Sequence, residues 1–200
     1  MIFWFLRRHG EHPSFHLINA ERLARLQPDT LLLNTCRGAV IDNRALRERL
    51  AAGAALSAVL DVWEGEPAVD ATLAARVALA TPHIAGYSLD GKLRGTCMIY
   101  QDFCRHFGFA PELPDLAGLD LPPPEPVVVD GLDDEALRRL VWACYDPRRD
   151  DAALRTSLAE PEPAVAFDRL RKRYPIRREF SALKVTGPES IRARLANLGF

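Results

Sequence analysis

Three charged residues each follow a short apolar run: Arg37 in "LLLNTCRG", Glu66 in "LDVWEGEP" and His83 in "ATPHIAG". Together they could carry one reaction. A guanidinium offers a planar fork to a substrate carboxylate. An imidazole exchanges a proton near neutral pH, and a carboxylate beside it fixes its tautomer. Taken singly, each residue has a plainer explanation: a solvated arginine, a turn glutamate, a satisfied loop histidine. The weight lies in the joint pattern, three such residues after three successive strands, with Gly and Pro punctuation that holds each on a short loop.

The elements that must position them alternate along the first half. "NAERLARL" predicts a helix behind an Asn19 cap, and "TLLLN" a buried strand with Leu31, Leu32 and Leu33 in the core. "DNRALRERLAAG" predicts a helix capped by Asp42 and closed at Gly53. "LSAVLDV" and "VALATPHI" read as two more strands around the short helix "ATLAARV". Strands of this kind between helices predict a parallel sheet covered on both faces, whose ligands bind outside the carboxyl ends of the strands. Residues 88–107 predict a long helix with Leu89, Leu93, Ile99, Phe103 and Phe107 near one face, ended by Gly108. After it, 109–126 is proline-rich and reads as a linker. Beyond lie a strand in "PVVVD", helices in "DDEALRRLVWACY" and "AFDRLRKRY", a strand-like "RREFSALKVTG" and a last helix in "PESIRARLANLGF", with Pro188 in its first turn.

Composition narrows the partners. The 200 residues are 48% hydrophobic and 26% charged, with a formal net charge of −1, so there is no basic excess of the kind a nucleic-acid partner requires. No run approaches the roughly 18 apolar residues of a membrane helix. The opening "MIFWFLRR" has its arginines after the apolar run rather than before it, the reverse of a signal peptide. The four cysteines, Cys36, Cys97, Cys104 and Cys144, show no CxxC spacing and read as reduced thiols, with no metal site expected. A soluble, cytoplasmic protein without nucleic-acid or membrane partners is expected.

The segment "NTCRGAVID … LDVWEGEP … TPHIAGYSLDGKLRGT" resembles the NAD-dependent D-2-hydroxyacid dehydrogenases, in which an Arg lies in N-x-x-RG, a Glu in D-V-x-x-x-E-P and a His in TPH. The separations of 29 residues from Arg37 to Glu66 and 17 from Glu66 to His83 also fit. "YDPRRDDAALR" and "FDRLRKRYPIRREFSAL" are similar to a branch acting on a small phosphorylated 2-hydroxy acid. The resemblance implies an oxidoreductase with NAD as cofactor and a homodimer. It implies that Arg37 grips the substrate, His83 takes the hydroxyl proton and Glu66 orients His83. Asp61 would hold the nicotinamide carboxamide, Gly86 would contact the cofactor and Tyr87 the substrate, and Gly38 would leave room for both. The implied fold is the C-terminal part of a Rossmann-like parallel sheet domain (1–108, with its return helix), the linker 109–126 and a small α+β dimerisation domain (127–200).

The sequence departs from the family at the front. No G-x-G-x-x-G occurs, although that turn places a dinucleotide pyrophosphate on a helix N-terminus. Family-like sequence starts near "GEHPSFHL", and residues 1–8 match nothing expected there, so the chain reads as the C-terminal portion of a longer enzyme and as inactive alone. Two alternatives stay open. One is a non-catalytic fragment that only dimerises; the other is a dehydrogenase of another D-2-hydroxy acid such as phosphoglycerate, against which "YDPRRDDAALR" speaks. Lys92, Arg94, Arg148 and Arg149 supply cations for a phosphate, but none is assigned to it.

Overall fold

A computed structural model describes residues 6–113 and 126–200. Most of the proline-rich segment and the first five residues therefore lie outside it. The elements run α1 (Ala20–Ala24), β1 (Thr30–Asn34), α2 (Asn43–Ala51), β2 (Leu56–Leu60), α3 (Ala71–Ala74), β3 (Leu79–Ala80) and α4 (Leu89–Phe107). Then follow β4 (Val127–Val128), α5 (Asp134–Cys144), α6 (Pro147–Ser157), α7 (Pro163–Lys172), β5 (Val185–Thr186) and α8 (Glu189–Ala196). They form two compact units, one of residues up to Ala85 with Pro147–Tyr174, the other of Gly86–Asp146 with Pro175–Phe200.

The first unit is built on a parallel sheet in the order β1-β2-β3, with Thr30 opposite Leu56, Asn34 opposite Leu60 and Leu60 opposite Ala80. The expected caps are present. Asn19 accepts from Arg22 N–H at 3.0 Å and Asp42 from Ala45 N–H at 2.9 Å, satisfying donors that a helix start leaves open. Asp70 does the same for Thr72 and Leu73. One core joins Leu23, Leu46, Leu60 and Leu73 to Leu154 of α6 and Phe167 of α7, all fully buried. Each such side chain contributes roughly 1.5–3 kcal/mol on burial.

Only one face of this sheet follows the expectation. Leu32 packs on the core, while Leu31 and Leu33 are 65% and 60% exposed. Side chains alternate along a strand, so three successive leucines cannot share a face. The helices cover the Leu32, Ala58 and Leu60 side, and among the described residues the other face of β1 is open.

Burying Val129, Leu140, Leu183 and Leu195 makes the core of the second unit, beside the parallel pair β4-β5. The strand expected over "RREFSALKVTG" is only Val185–Thr186, preceded by a 3-10 turn at Phe180–Ala182. The helix after "TPHIAG" forms over Leu89–Phe107 and ends at Gly108 with φ +72°, but Ile99, Phe103 and Phe107 on its apolar face are exposed. Its first turn is tied down by polar bonds. Ser88 Oγ donates to Glu179 at 2.7 Å, and Asp90 receives Arg178 in a bidentate pair (3.0–3.2 Å) plus Glu179 N–H at 2.8 Å.

Candidate active site

His83 stands just past β3 in a backbone conformation rare for a non-glycine residue, φ +57°. Asp61, at the end of β2, holds the turn that carries it. The Asp61 carbonyl accepts His83 N–H at 2.7 Å, and the buried carboxylate accepts Thr81 Oγ–H at 2.6 Å, Ile84 N–H at 2.8 Å and Ala85 N–H at 2.9 Å. Three of roughly four acceptor positions are thus filled, and one remains on Oδ2.

Glu66 lies in the loop after β2. Its Oε1 accepts Trp63 N–H at 2.6 Å, which fixes the side chain, and its Oε2 is 2.7 Å from His83 Nδ1. An ionised carboxylate only accepts, so Nδ1 carries the proton of this bond and Nε2 is left for exchange with a ligand. The imidazole is half-buried, with one side open.

Arg37 follows β1 and is exposed, its Nη1 donating to Cys36 O at 2.7 Å. Among the described residues it has no carboxylate partner. Gly38 does not leave open space. A Cβ there would lie 2.0 Å from the carbonyl carbon of Trp63 and 2.1 Å from its oxygen, so the Arg37 loop packs directly on the Glu66 loop. The room that the missing side chain provides is filled by main chain, which corrects the reading of Gly38 as clearance for substrate and nicotinamide.

Gly86 and Tyr87 belong to the second unit, in which Lys92 Nζ sits 4.1 Å over the Tyr87 ring. Arg94 pairs with Glu179 there. Four further residues, Thr81, His16, Asn43 and Glu64, support the site without a local sequence signal. Thr81 was visible in "TPH" but carried no signal of its own. The bonds joining His16, Asn43 and Glu64 span 21 and 48 residues, and no local spacing announces them.

Residues 10–85 match the family model of the D-isomer specific 2-hydroxyacid dehydrogenase, NAD binding domain, and residues 124–199 match a domain of unknown function (DUF3410). The resemblance read from the motifs holds. The erythronate-4-phosphate dehydrogenase of Azotobacter vinelandii (strain DJ) is 55% identical over 186 residues, 90% of this chain and 48% of that protein. Those of Pseudomonas paraeruginosa (strain PA7) and Pseudomonas entomophila (strain L48) are 53% and 54% identical over the same shares, 90% and 48%. The chain spans about half the length of the curated relatives it matches. All of Arg37, Asp61, Glu66 and His83 fall inside the dehydrogenase match.

Proposed function

We propose that the protein carrying this chain is an NAD-dependent dehydrogenase that oxidises 4-phospho-D-erythronate to 3-hydroxy-2-oxo-4-phosphooxybutanoate, a step of vitamin B6 biosynthesis, working as a cytoplasmic homodimer. The observation that carries this reading is the Glu66–His83 bond on loops after β2 and β3, inside a segment matching the D-2-hydroxyacid dehydrogenases.

The residues present fit one end of the cofactor. The open acceptor position on Asp61 suits the N–H of a carboxamide, and Gly86 is the other proposed contact. The pyrophosphate end has no G-x-G-x-x-G within these 200 residues. When bound, NAD supplies the hydride acceptor. Arg37 binds the substrate carboxylate as a bidentate fork and so orients the 2-hydroxyl. His83 Nε2 takes the hydroxyl proton as the C2–H bond breaks, leaving the 2-oxo acid. Glu66 holds the ring through Nδ1 and balances the charge that the ring gains. Tyr87 is the proposed second substrate contact.

The test is turnover in a polypeptide of the relatives' full length that contains this chain. His83→Ala is expected to lower kcat by roughly 10²–10⁴-fold, the usual worth of general acid–base catalysis. Arg37→Lys, which keeps the charge but loses the fork, is expected to raise KM. Near-normal kcat in His83→Ala at every pH would overturn the assignment.

A further inference from the structure

The loop that carries Glu66 has no helix or strand to hold it, yet the Glu66–His83 bond needs it fixed to a few tenths of an ångström. The buried Trp63 indole holds it from one side, donating to Thr81 O at 3.0 Å, and Glu64 anchors it from the other. Glu64 N–H donates to Asn43 Oδ1 at 3.0 Å, and Glu64 Oε2 accepts from Asn43 N–H at 3.3 Å, a reciprocal pair that ties the loop to the start of α2. Asn43 Nδ2 in turn donates to Ile41 O at 2.9 Å. The remaining oxygen, Glu64 Oε1, lies 2.8 Å from His16 Nε2.

His16 is itself held for this purpose. Its N–H donates to Ala39 O at 2.8 Å, Phe15 stacks on its ring at 3.9 Å, and its φ of +48° is one that few non-glycine residues adopt. The far ring nitrogen, Nδ1, faces Asp42 Oδ2 at 3.7 Å. His16, Asp42 and Glu64 are close enough together to suggest a metal site. Hydrogen bonding already occupies these groups: Nε2 bonds Glu64 Oε1 at 2.8 Å, and the second oxygen of each carboxylate accepts Asn43 N–H or Ala45 N–H. The arrangement is a bridge.

We propose that His16 is a positioning residue: by donating from Nε2 to Glu64 it fixes the Trp63–Pro67 loop and thereby the Glu66 carboxylate against His83 Nδ1. The value of this bridge to turnover rests on the function proposed above; the bridge itself does not, because its readout is a proton on His83 and needs no substrate.

The experiment is NMR of the 200-residue chain labelled with ¹⁵N at histidine, following exchange of the His83 Nδ1 proton with water. In His16→Ala and in Glu64→Ala this exchange should become about tenfold faster, the factor that corresponds to the net worth of one hydrogen bond. His16→Gln, whose amide N–H can reach Glu64, should restore slow exchange. Unfolding of each variant in urea, followed by circular dichroism, identifies those that stay folded. If His16→Ala does not fold, Glu64→Ala, which removes the acceptor of His16 Nε2–H, decides by the same measure. Slow exchange in the folded His16→Ala, or in Glu64→Ala when it decides, overturns the proposal. So does fast exchange in a folded His16→Gln. Absence of turnover in the unsubstituted full-length protein, with slow His83 exchange there and fast exchange in His16→Ala, would count against the functional reading and leave the bridge standing.

Discussion

Asp61 grips the turn of His83 from both sides, its carbonyl on His83 N–H and its carboxylate on the N–H groups of Ile84 and Ala85. A left-handed histidine persists only where its surroundings over-determine it, and one buried carboxylate does so here. Asp61→Asn replaces an acceptor-only group by an amide whose NH2 must face a donor. A loss of about 3 kcal/mol is expected, as for a broken buried charged network. Urea unfolding of the chain measures it, and an unchanged midpoint would mean that the turn holds without Asp61.

Gly38→Ala should be at least as costly. The new methyl would meet the Trp63 main chain, not the yielding end of a side chain. The two loops must separate, at a cost of about 3 kcal/mol or more, the upper range of overpacking. With Trp4 and Trp142 replaced by Phe, the emission of Trp63, buried in the wild type, should move toward that of a solvated indole.

The second unit should lose stability in acid. Burial works to raise the Asp90 carboxyl, but the Arg178 pair and the Glu179 N–H outweigh it and hold it below the usual carboxylate range. A group depressed in the folded state stabilises it fully above the unfolded value, about 3.9, and that contribution goes as pH falls through the folded pKa. Asp90→Asn should therefore flatten the stability–pH curve below about pH 4, while reducing stability near neutrality. Equal slopes in wild type and variant would remove Asp90 from the account.

The chain by itself should dimerise through residues 127–200 and bind NADH poorly. The dimer follows from the proposed role of that region, in which Val129, Leu140, Leu183 and Leu195 form a core small enough for association to help it. Weak binding follows from the missing glycine-rich turn, since every 1.4 kcal/mol of lost pyrophosphate contact weakens affinity about tenfold. Sedimentation and NADH fluorescence give the two answers. A monomer that binds NADH at micromolar concentration would contradict both.

Local rules carried the sequence far. The caps Asn19 and Asp42, the terminator Gly108 and the three short strands were legible because each depends on residues a few positions apart. The Glu66–His83 bond was foreshadowed because strand ends deliver loop residues to one side of a parallel sheet; Arg37 shares only its place after a strand. Leu31 and Leu33 misled because a run of leucines shows apolarity without showing which face is covered. Gly38 misled because a glycine records only that something comes close, and here it is Trp63 backbone from 25 residues on. The His16–Glu64 bridge was invisible for the same reason: its partners meet only after the sheet has formed.

The packing of α6 and α7 bears on how this chain can be dissected. They lie within the C-terminal family match, 124–199, yet Leu154 and Phe167 complete the core around β3, and Asp151 of α6 accepts Ala80 N–H at 2.7 Å. A cut in the proline-rich segment, the natural place for a protein engineer to divide the chain, would strip the sheet of two of its covering helices. The N-terminal half made by that cut is left without part of its core, and any chimera that exchanges the C-terminal segment must also match its surface to the β3 edge.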